Sequence, residues 1–439
     1  MKVVILGGGL TGLTSAYELQ KKGIDYTVIE KEPTVGGLCR SVTIGDFIFD
    51  YTGHFLHFDK SYKRAKEFVS HILSGNIIKL TRNSKIYTKY AQTRDNLIPY
   101  PFQLNIKYLK PAIRKECLQG LAWSNILKSN KVNKNFKQWL IDNFGGGITK
   151  YFFEPYNRKI WNVSLDEIST TWVQKFVPRI DFETVFNNLI FGTGTGEKYG
   201  YNFEFYYPKN HGIQSLVNGI YKHLNNHKVL TSAEVVRVNT KRKQVLFIQN
   251  DKIQSLKYDY LISTIPLPEL LKVIDLHGLK KHINNLRYVS VICFNIAVNR
   301  PIMPGIHWIY FPDTDIIFYR IGFYHNVSKN LVRQGCGSIY VEVAVQDINK
   351  TNIDALLKKV KKQLVNIKTL NSTKEILFTN TLLLTYAYVI YDHYREKFLP
   401  YILQKLRTHK IYSIGRYGAW KYSYMTENIK DAVETVALI

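Results

Sequence analysis

Residues 2–30, KVVILGGGLTGLTSAYELQKKGIDYTVIE, decide the fold. Residues 2–6 (KVVIL) are a short apolar run, the pattern of a strand buried on both faces. Gly7 to Gly12 make a tight turn. Leu13 to Lys22 follow helical spacing and stop at Gly23, a C-cap residue. Tyr26 to Glu30 form the next strand. Strand, helix and strand in this order predict a βαβ unit, and with it an α/β fold on a parallel sheet. The turn carries the spacing GxGxxG. Gly7 permits the turn, Gly9 lets backbone approach a diphosphate, and Gly12 lets the helix lie close to the strand. The helix start adds free N–H groups and a partial positive charge. Glu30 closes the second strand, where an acid holds both hydroxyls of a ribose. The stretch reads as a dinucleotide cradle.

Composition bounds what the rest does. The 439 residues carry 60 Lys+Arg against 34 Asp+Glu, a net charge of +26. That balance favours anionic partners, whether phosphorylated substrates, nucleic acid or an acidic membrane surface. The lysines are scattered along helical faces (Lys128, Lys131, Lys134 and Lys137), which fits solvated surfaces equally well. No nucleic-acid motif is present, so nucleic acid is not an expected partner. Cys39, Cys117, Cys293 and Cys336 lie far apart without a CxxC pair or metal-ligand spacing. They read as free thiols in a reducing, cytoplasmic setting, and no metal is expected. The opening apolar run is too short for a signal peptide. No window of ~18 apolar residues predicts a spanning helix. Oligomeric state is not legible.

Along the chain, helical patterns fall at 61–74, through much of 105–190, at 354–367 and at 427–438. Residues 84–91, 203–207, 228–249, 258–265, 286–346 and 376–391 read as strands. The expected organisation is a Rossmann-like cofactor domain built from both chain ends (1–60, 205–270 and 405–439). A helical insertion (61–82 and 105–200) and a mainly antiparallel β substrate domain (83–104 and 271–404) fill the middle.

The choice of cofactor turns on the ten residues after Glu30. Lys31-Glu32-Pro33-Thr34-Val35-Gly36-Gly37-Leu38-Cys39-Arg40 places a Gly-Gly pair and then an arginine after the acid. This resembles the FAD-binding flavoproteins of the amine oxidase class. A second glycine turn lies against the diphosphate side, with Arg40 available to neutralise it. Near the other end, Gly415-Arg416-Tyr417-Gly418-Ala419-Trp420-Lys421-Tyr422 follows a strand and precedes the last helix. A glycine there lets backbone approach the ribityl chain, and a helix N-terminus stabilises a reduced flavin's negative charge. No cysteine follows Cys336, so the expected cofactor is non-covalent FAD. On the opening side its expected contacts are Gly7, Gly9, Leu10, Thr11, Gly12 and Glu30, then Lys31, Gly37, Leu38 and Arg40. Gly53, His54, Val236, Gly415 and Arg416 complete the set.

Further segments resemble one family within that class. Asp50-Tyr51-Thr52-Gly53-His54 is similar to the glycine–histidine loop of UDP-galactopyranose mutases. Ile98-Pro99-Tyr100-Pro101-Phe102-Gln103-Leu104-Asn105 is similar to their uridine-side segment. Pro155-Tyr156-Asn157-Arg158-Lys159-Ile160-Trp161, Trp308-Ile309-Tyr310-Phe311-Pro312 with Phe318-Tyr319-Arg320, and the 415–422 stretch also match, most closely the eukaryotic type. The resemblance implies that Arg320 holds a substrate diphosphate and that Tyr310, Tyr388 and Tyr422 bond its oxygens. It sets His54 beside the flavin. It implies uracil contacts from Tyr100, Phe102 and Gln103, with Asn157, Trp161 and Arg416 near flavin and sugar. An arginine fork suits a diphosphate, and tyrosines add donors without charge.

Two departures stand out. Where the family keeps a second phosphate-clamp arginine, this chain has Phe176, with Lys175 and Arg179 nearby, so Arg179 is the expected substitute. The stretch Tyr386-Ala387-Tyr388-Val389-Ile390 lacks the family's proline. The implied function is interconversion of pyranose and furanose forms of a nucleotide sugar through a reduced-flavin N5 adduct, in cell-surface polysaccharide biosynthesis, with NADPH or NADH as reductant. The alternative is an oxidoreductase of the amine oxidase or protoporphyrinogen oxidase-like class. There an arginine such as Arg320 would be superfluous.

Overall fold

A computed structural model of the chain describes residues 1–58, 63–126, 135–177, 179–192 and 203–439, with backbone only at Gln174 and Lys175. Lys128, Lys131 and Lys134 lie outside the described residues. The first strand, β1 (Lys2–Leu6), leads into helix α1 (Leu10–Lys21) and back into β2 (Asp25–Ile29). Three later strands join them: β3 (Val229–Leu230), β4 (Tyr260–Ser263) and β5 (Ile411–Ser413). The order across the sheet is β5-β4-β1-β2-β3, and every pair is parallel. The apolar run is explained by its position: Val3 to Leu6 are covered on both faces and have no solvent exposure. The last helix, α2 (Met425–Ala437), packs along α1. The two chain ends therefore close one core.

A second sheet of seven strands stands apart from the first. Its order is Ile376–Val389, Tyr288–Val298, Gly337–Val345, Arg320–Gly322, Trp308–Tyr310, Ser84–Tyr87 and Leu97–Pro99. All neighbours run antiparallel except Trp308–Tyr310 beside Ser84–Tyr87. Cross-strand partners share a face. The register sets Tyr310 opposite Arg320, and Arg320 opposite Glu342, so the three side chains lie in one row. A three-stranded antiparallel sheet spans residues 233–257.

The helical region holds Pro111–Ile126, Phe136–Ile148, Glu154–Trp161 and Phe182–Phe191. The helical pattern expected through much of 105–190 is interrupted by a π-helical turn, Thr149–Phe153, before Glu154–Trp161 begins. Strand structure in 84–91 stops at Tyr87, because the chain then turns and Ala91 N–H donates to the Thr88 carbonyl.

Gly12 shows how tightly α1 meets β1. A Cβ there would lie 2.0 Å from the Gly7 carbonyl oxygen. Backbone cannot yield as a flexible side chain does. Gly12→Ala is therefore expected to destabilise the flavin-free protein by about 3 kcal/mol or more. Urea unfolding of both proteins without added cofactor measures it, and an unchanged midpoint would contradict this packing.

Candidate active site

The cradle is assembled from both chain ends. α1 starts with neither a side-chain cap nor an acid in its first turn, so its leading N–H groups have no internal acceptor. A Cβ at Gly9 would meet only the Cα of Gly37, at 3.9 Å, and would otherwise fill open space. That open face is where a diphosphate fits. Gly36 N–H donates to the Gly8 carbonyl at 2.8 Å and ties the second glycine turn to the first. Buried Glu30 accepts from Gly8 N–H at 2.6 Å and Glu32 N–H at 2.9 Å. A carboxylate has lone pairs left for ribose hydroxyls. Arg40 donates from Nε to the Gly37 carbonyl at 2.9 Å, reaches Glu32 at 3.4 Å and lies over the Tyr51 ring. Gly415, with φ +75°, packs on Thr11: a Cβ there would sit 2.5 Å from Thr11 Oγ1. These residues fit the FAD expected of them.

Leu38 leads from the cradle to the pocket. It packs in one apolar cluster with Tyr51, Tyr156, Tyr319, Ala387 and Tyr388. Beyond it the rings are close set. Tyr310 lies 5.1 Å from Tyr100 and 5.5 Å from Tyr156. Tyr388 lies 5.8 Å from Tyr422, and its hydroxyl is 3.5 Å from that of Tyr319. Trp161 is edge-on to both Tyr388 and Tyr422. Arg416 stands over the Tyr422 ring at 4.6 Å and donates to the Ser423 and Ala387 carbonyls. Gly53 abuts the Tyr340 hydroxyl, and Tyr324 holds the same loop by donating to the Asp50 and Thr52 carbonyls.

Sequence reading missed four contributors. Glu342, 1% exposed, accepts from Arg320 Nε at 2.5 Å and Nη2 at 2.8 Å. Arg82 is buried with its guanidinium 4.7 Å from the Tyr100 ring. Tyr156 and Tyr319 complete the wall. One signal did exist: Glu342 is a lone acid inside the apolar run GSIYVEVAV, and a buried strand carries an acid only beside a partner.

The remaining expected residues differ in exposure. Arg179 is exposed, with its guanidinium over the indole of Trp139. Phe176 instead packs, tilted, against Tyr422 at 4.4 Å. Phe102 is wholly buried on Phe152, and Gln103 is buried beside it. Asn157 donates to the Phe153 carbonyl and accepts from Trp161 Nε1, so its amide braces the helix. Lys31 and Val236 are exposed, Val236 at a bulge in its strand.

Burial sets the electrostatics. It pushes the phenols of Tyr156, Tyr310, Tyr319 and Tyr388 upward, against the pull of Arg320. They remain protonated donors at neutral pH. Burial acts against the charge of Arg320, but the Glu342 carboxylate outweighs it and keeps the guanidinium protonated. His54 is lowered to about 4 by burial, then by the charges of Arg416 and Arg320, against a 3.3 Å hydrogen bond with the Thr52 carbonyl. A carbonyl only accepts, so Nδ1 carries the proton and Nε2 keeps its lone pair. Among the described residues no group of His, Cys, Asp or Glu is arranged for a metal, and no helix is long and apolar enough to cross a membrane.

Comparison with known proteins adds lineage to this geometry. The family model for flavin containing amine oxidoreductases matches residues 10–332. The solved structure of a reduced UDP-galactopyranose mutase superposes with TM-score 0.91 at 27% identity, covering 99% of this chain and 94% of its own. A putative protoporphyrinogen oxidase from Exiguobacterium sp. 255-15 superposes at 0.74 with 15% identity over 100% and 98%, a likeness of fold. In sequence, an uncharacterised Methanothermococcus thermolithotrophicus protein is 34% identical over 105 residues, 24% of this chain and 96% of its own length. A probable flavin-containing monoamine oxidase A of Dictyostelium discoideum is 41% identical over 54 residues, 12% of each chain.

His54 also makes stability depend on pH. Its folded value of about 4 lies below the ordinary 6.5. Between those limits the unfolded chain binds the extra proton, so this contribution is complete above pH 6.5 and is lost as pH falls towards 4. His54→Asn keeps a donor for Thr52 without titrating. Thermal melts at pH 7 and pH 5 are expected to show a smaller loss in the variant, and an equal loss would contradict the buried neutral ring.

Proposed function

The chain belongs to the family of flavin containing amine oxidoreductases, and within it we propose a UDP-galactopyranose mutase-like enzyme that interconverts pyranose and furanose forms of a nucleotide sugar. One observation carries this reading: the FAD cradle opens on tyrosine hydroxyls gathered around the Arg320 fork, with Tyr310 and Arg320 side by side in one strand row. A pocket that oxidises an amine or a C–H bond has no use for that fork. The full-length likeness to the reduced mutase supports the same reading.

When bound in its reduced form, FAD supplies the nucleophile, so no side chain need attack the sugar. The chain's own residues bind and orient. Arg320 offers its remaining N–H groups to the diphosphate, and Tyr310, Tyr388 and Tyr422 donate hydroxyls to its oxygens. Tyr100, backed by Arg82, gives the base an aromatic face, and Arg82 supplies the second buried cation near Tyr310. This assigns to Arg82 the place expected of Arg179. Arg416 brings a positive charge held by backbone carbonyls, ring faces and the Tyr417 hydroxyl. His54, kept neutral by burial, presents Nε2 as a hydrogen-bond acceptor. Holding the diphosphate while the sugar reorganises is catalysis by positioning. NADPH or NADH is the proposed reductant. Four free, buried thiols accord with a cytoplasmic setting.

The second reading, an oxidoreductase of the amine oxidase or protoporphyrinogen oxidase-like class, is favoured by the family match itself. Turnover separates the two. Dithionite-reduced protein is expected to convert UDP-galactofuranose to the pyranose form, resolved by chromatography, and oxidised protein to leave it unchanged. Inactivity in both states rules the mutase out, and peroxide formed from an amine or porphyrinogen supports the alternative. Arg320→Lys keeps a cation against Glu342 but loses the fork. It should raise the KM roughly tenfold, the loss of one charge-assisted hydrogen bond, at unchanged flavin content.

A further inference from the structure

Arg320 is the cation proposed to meet the diphosphate, yet in the free protein it is already in a two-point ion pair. Nε donates to one Glu342 oxygen at 2.5 Å and Nη2 to the other at 2.8 Å. The two partners are placed unequally. The Arg320 side chain is 20% exposed and that of Glu342 1%. The carboxylate therefore lies beneath the guanidinium, and the ligand-accessible edge belongs to the arginine. A guanidinium has five N–H donors, and those of Nη1 with the second on Nη2 are left for a ligand. The strand register fixes the pair, since Arg320 and Glu342 are direct cross-strand partners in regular pairing.

A buried ion pair is a weak source of stability, because desolvation offsets most of its attraction. Its effects on Arg320 are definite. It holds the fork in one orientation before any ligand arrives, which removes an ordering cost from binding. It also cancels the fork's net charge. An anion on the outer edge gains directed hydrogen bonds but is repelled by the carboxylate a few ångströms deeper, where screening by water is poor.

We propose that Glu342 is a positioning residue that aims Arg320 and sets nucleotide affinity low by cancelling its charge. This deepens the nucleotide-sugar reading and rests on it. It accounts for a site that must hold a diphosphate firmly during sugar rearrangement and still let the nucleotide sugar leave.

Glu342→Gln removes the charge and keeps the shape. Calorimetric titration of the flavin-loaded protein with UDP is expected to show affinity about tenfold or more above wild type, with steeper salt dependence. KM and kcat should both fall, because ligand leaves slowly and the fork is held at one point instead of two. Glu342→Asp keeps the charge, so UDP should bind no tighter than to wild type while kcat drops. A merely structural glutamate would not tighten binding when neutralised. Equal or weaker UDP binding by a folded, flavin-loaded Glu342→Gln overturns the proposal, as does tightening in Glu342→Asp. Wild-type protein gives a second measurement that needs no variant to fold. With ¹⁵N-labelled arginine, the Arg320 Nε–H signal should exchange slowly with solvent and persist on adding UDP. Rapid exchange in the free protein overturns the two-point hold. If wild type does not bind UDP at all, the nucleotide-sugar reading fails and this inference with it. If wild type binds and neutralisation leaves affinity unchanged, only the role of Glu342 fails.

Discussion

The contact between Thr11 and Gly415 joins the two ends of the chain at the start of one helix. Thr11 lies in the first turn of α1, where N–H groups point out unpaired. Gly415 follows β5, a strand supplied by the far terminus. The contact is so close that a single methyl on Gly415 would collide with the threonine hydroxyl. A cofactor bound across that junction touches residues that are distant in sequence, so the parallel sheet must close before the site exists. Everything between the ends is carried on this closed core, and the seven-stranded sheet presents its Tyr310–Arg320–Glu342 row from there.

The pocket's chemistry follows from burial more than from composition. The chain is strongly basic overall, but the charges near the rings are few and individually constrained. Arg320 is balanced by Glu342, Arg416 is capped by carbonyls, and Arg82 is stacked on Tyr100. Burial keeps several surrounding phenols protonated, so they offer hydrogen bonds without adding charge. Such a lining suits an anion through direction and geometry. That differs from the scattered surface lysines, whose attraction is long-range and screened by salt.

The α/β class was legible because strand and helix periods differ and the glycine spacing has one physical use. The tyrosines and Arg320, far apart in sequence, do converge, and their motifs had marked them. What failed to show was partnership. Nothing in the stretch 172–179 says that Arg179 turns outward onto Trp139 while Phe176 faces Tyr422, because helical spacing fixes a side but not a neighbour. Asn157 looked available until the helix placed Trp161 one turn away to donate its indole N–H to the amide oxygen. Arg82 carried no motif, and the ring it stands over, Tyr100, belongs to another segment of the chain. Glu342 was visible as an acid in an apolar strand, but its partner is set by register, which one sequence does not display.

The most direct test is the visible absorbance of the purified protein before and after acid precipitation. A yellow protein that releases all its FAD into the acid supernatant is the expected result of the proposed hold on the cofactor through backbone, Glu30 and Arg40 without a thioether. A folded protein that stays colourless after incubation with FAD would contradict the account at its root, as would flavin that remains with the precipitated chain.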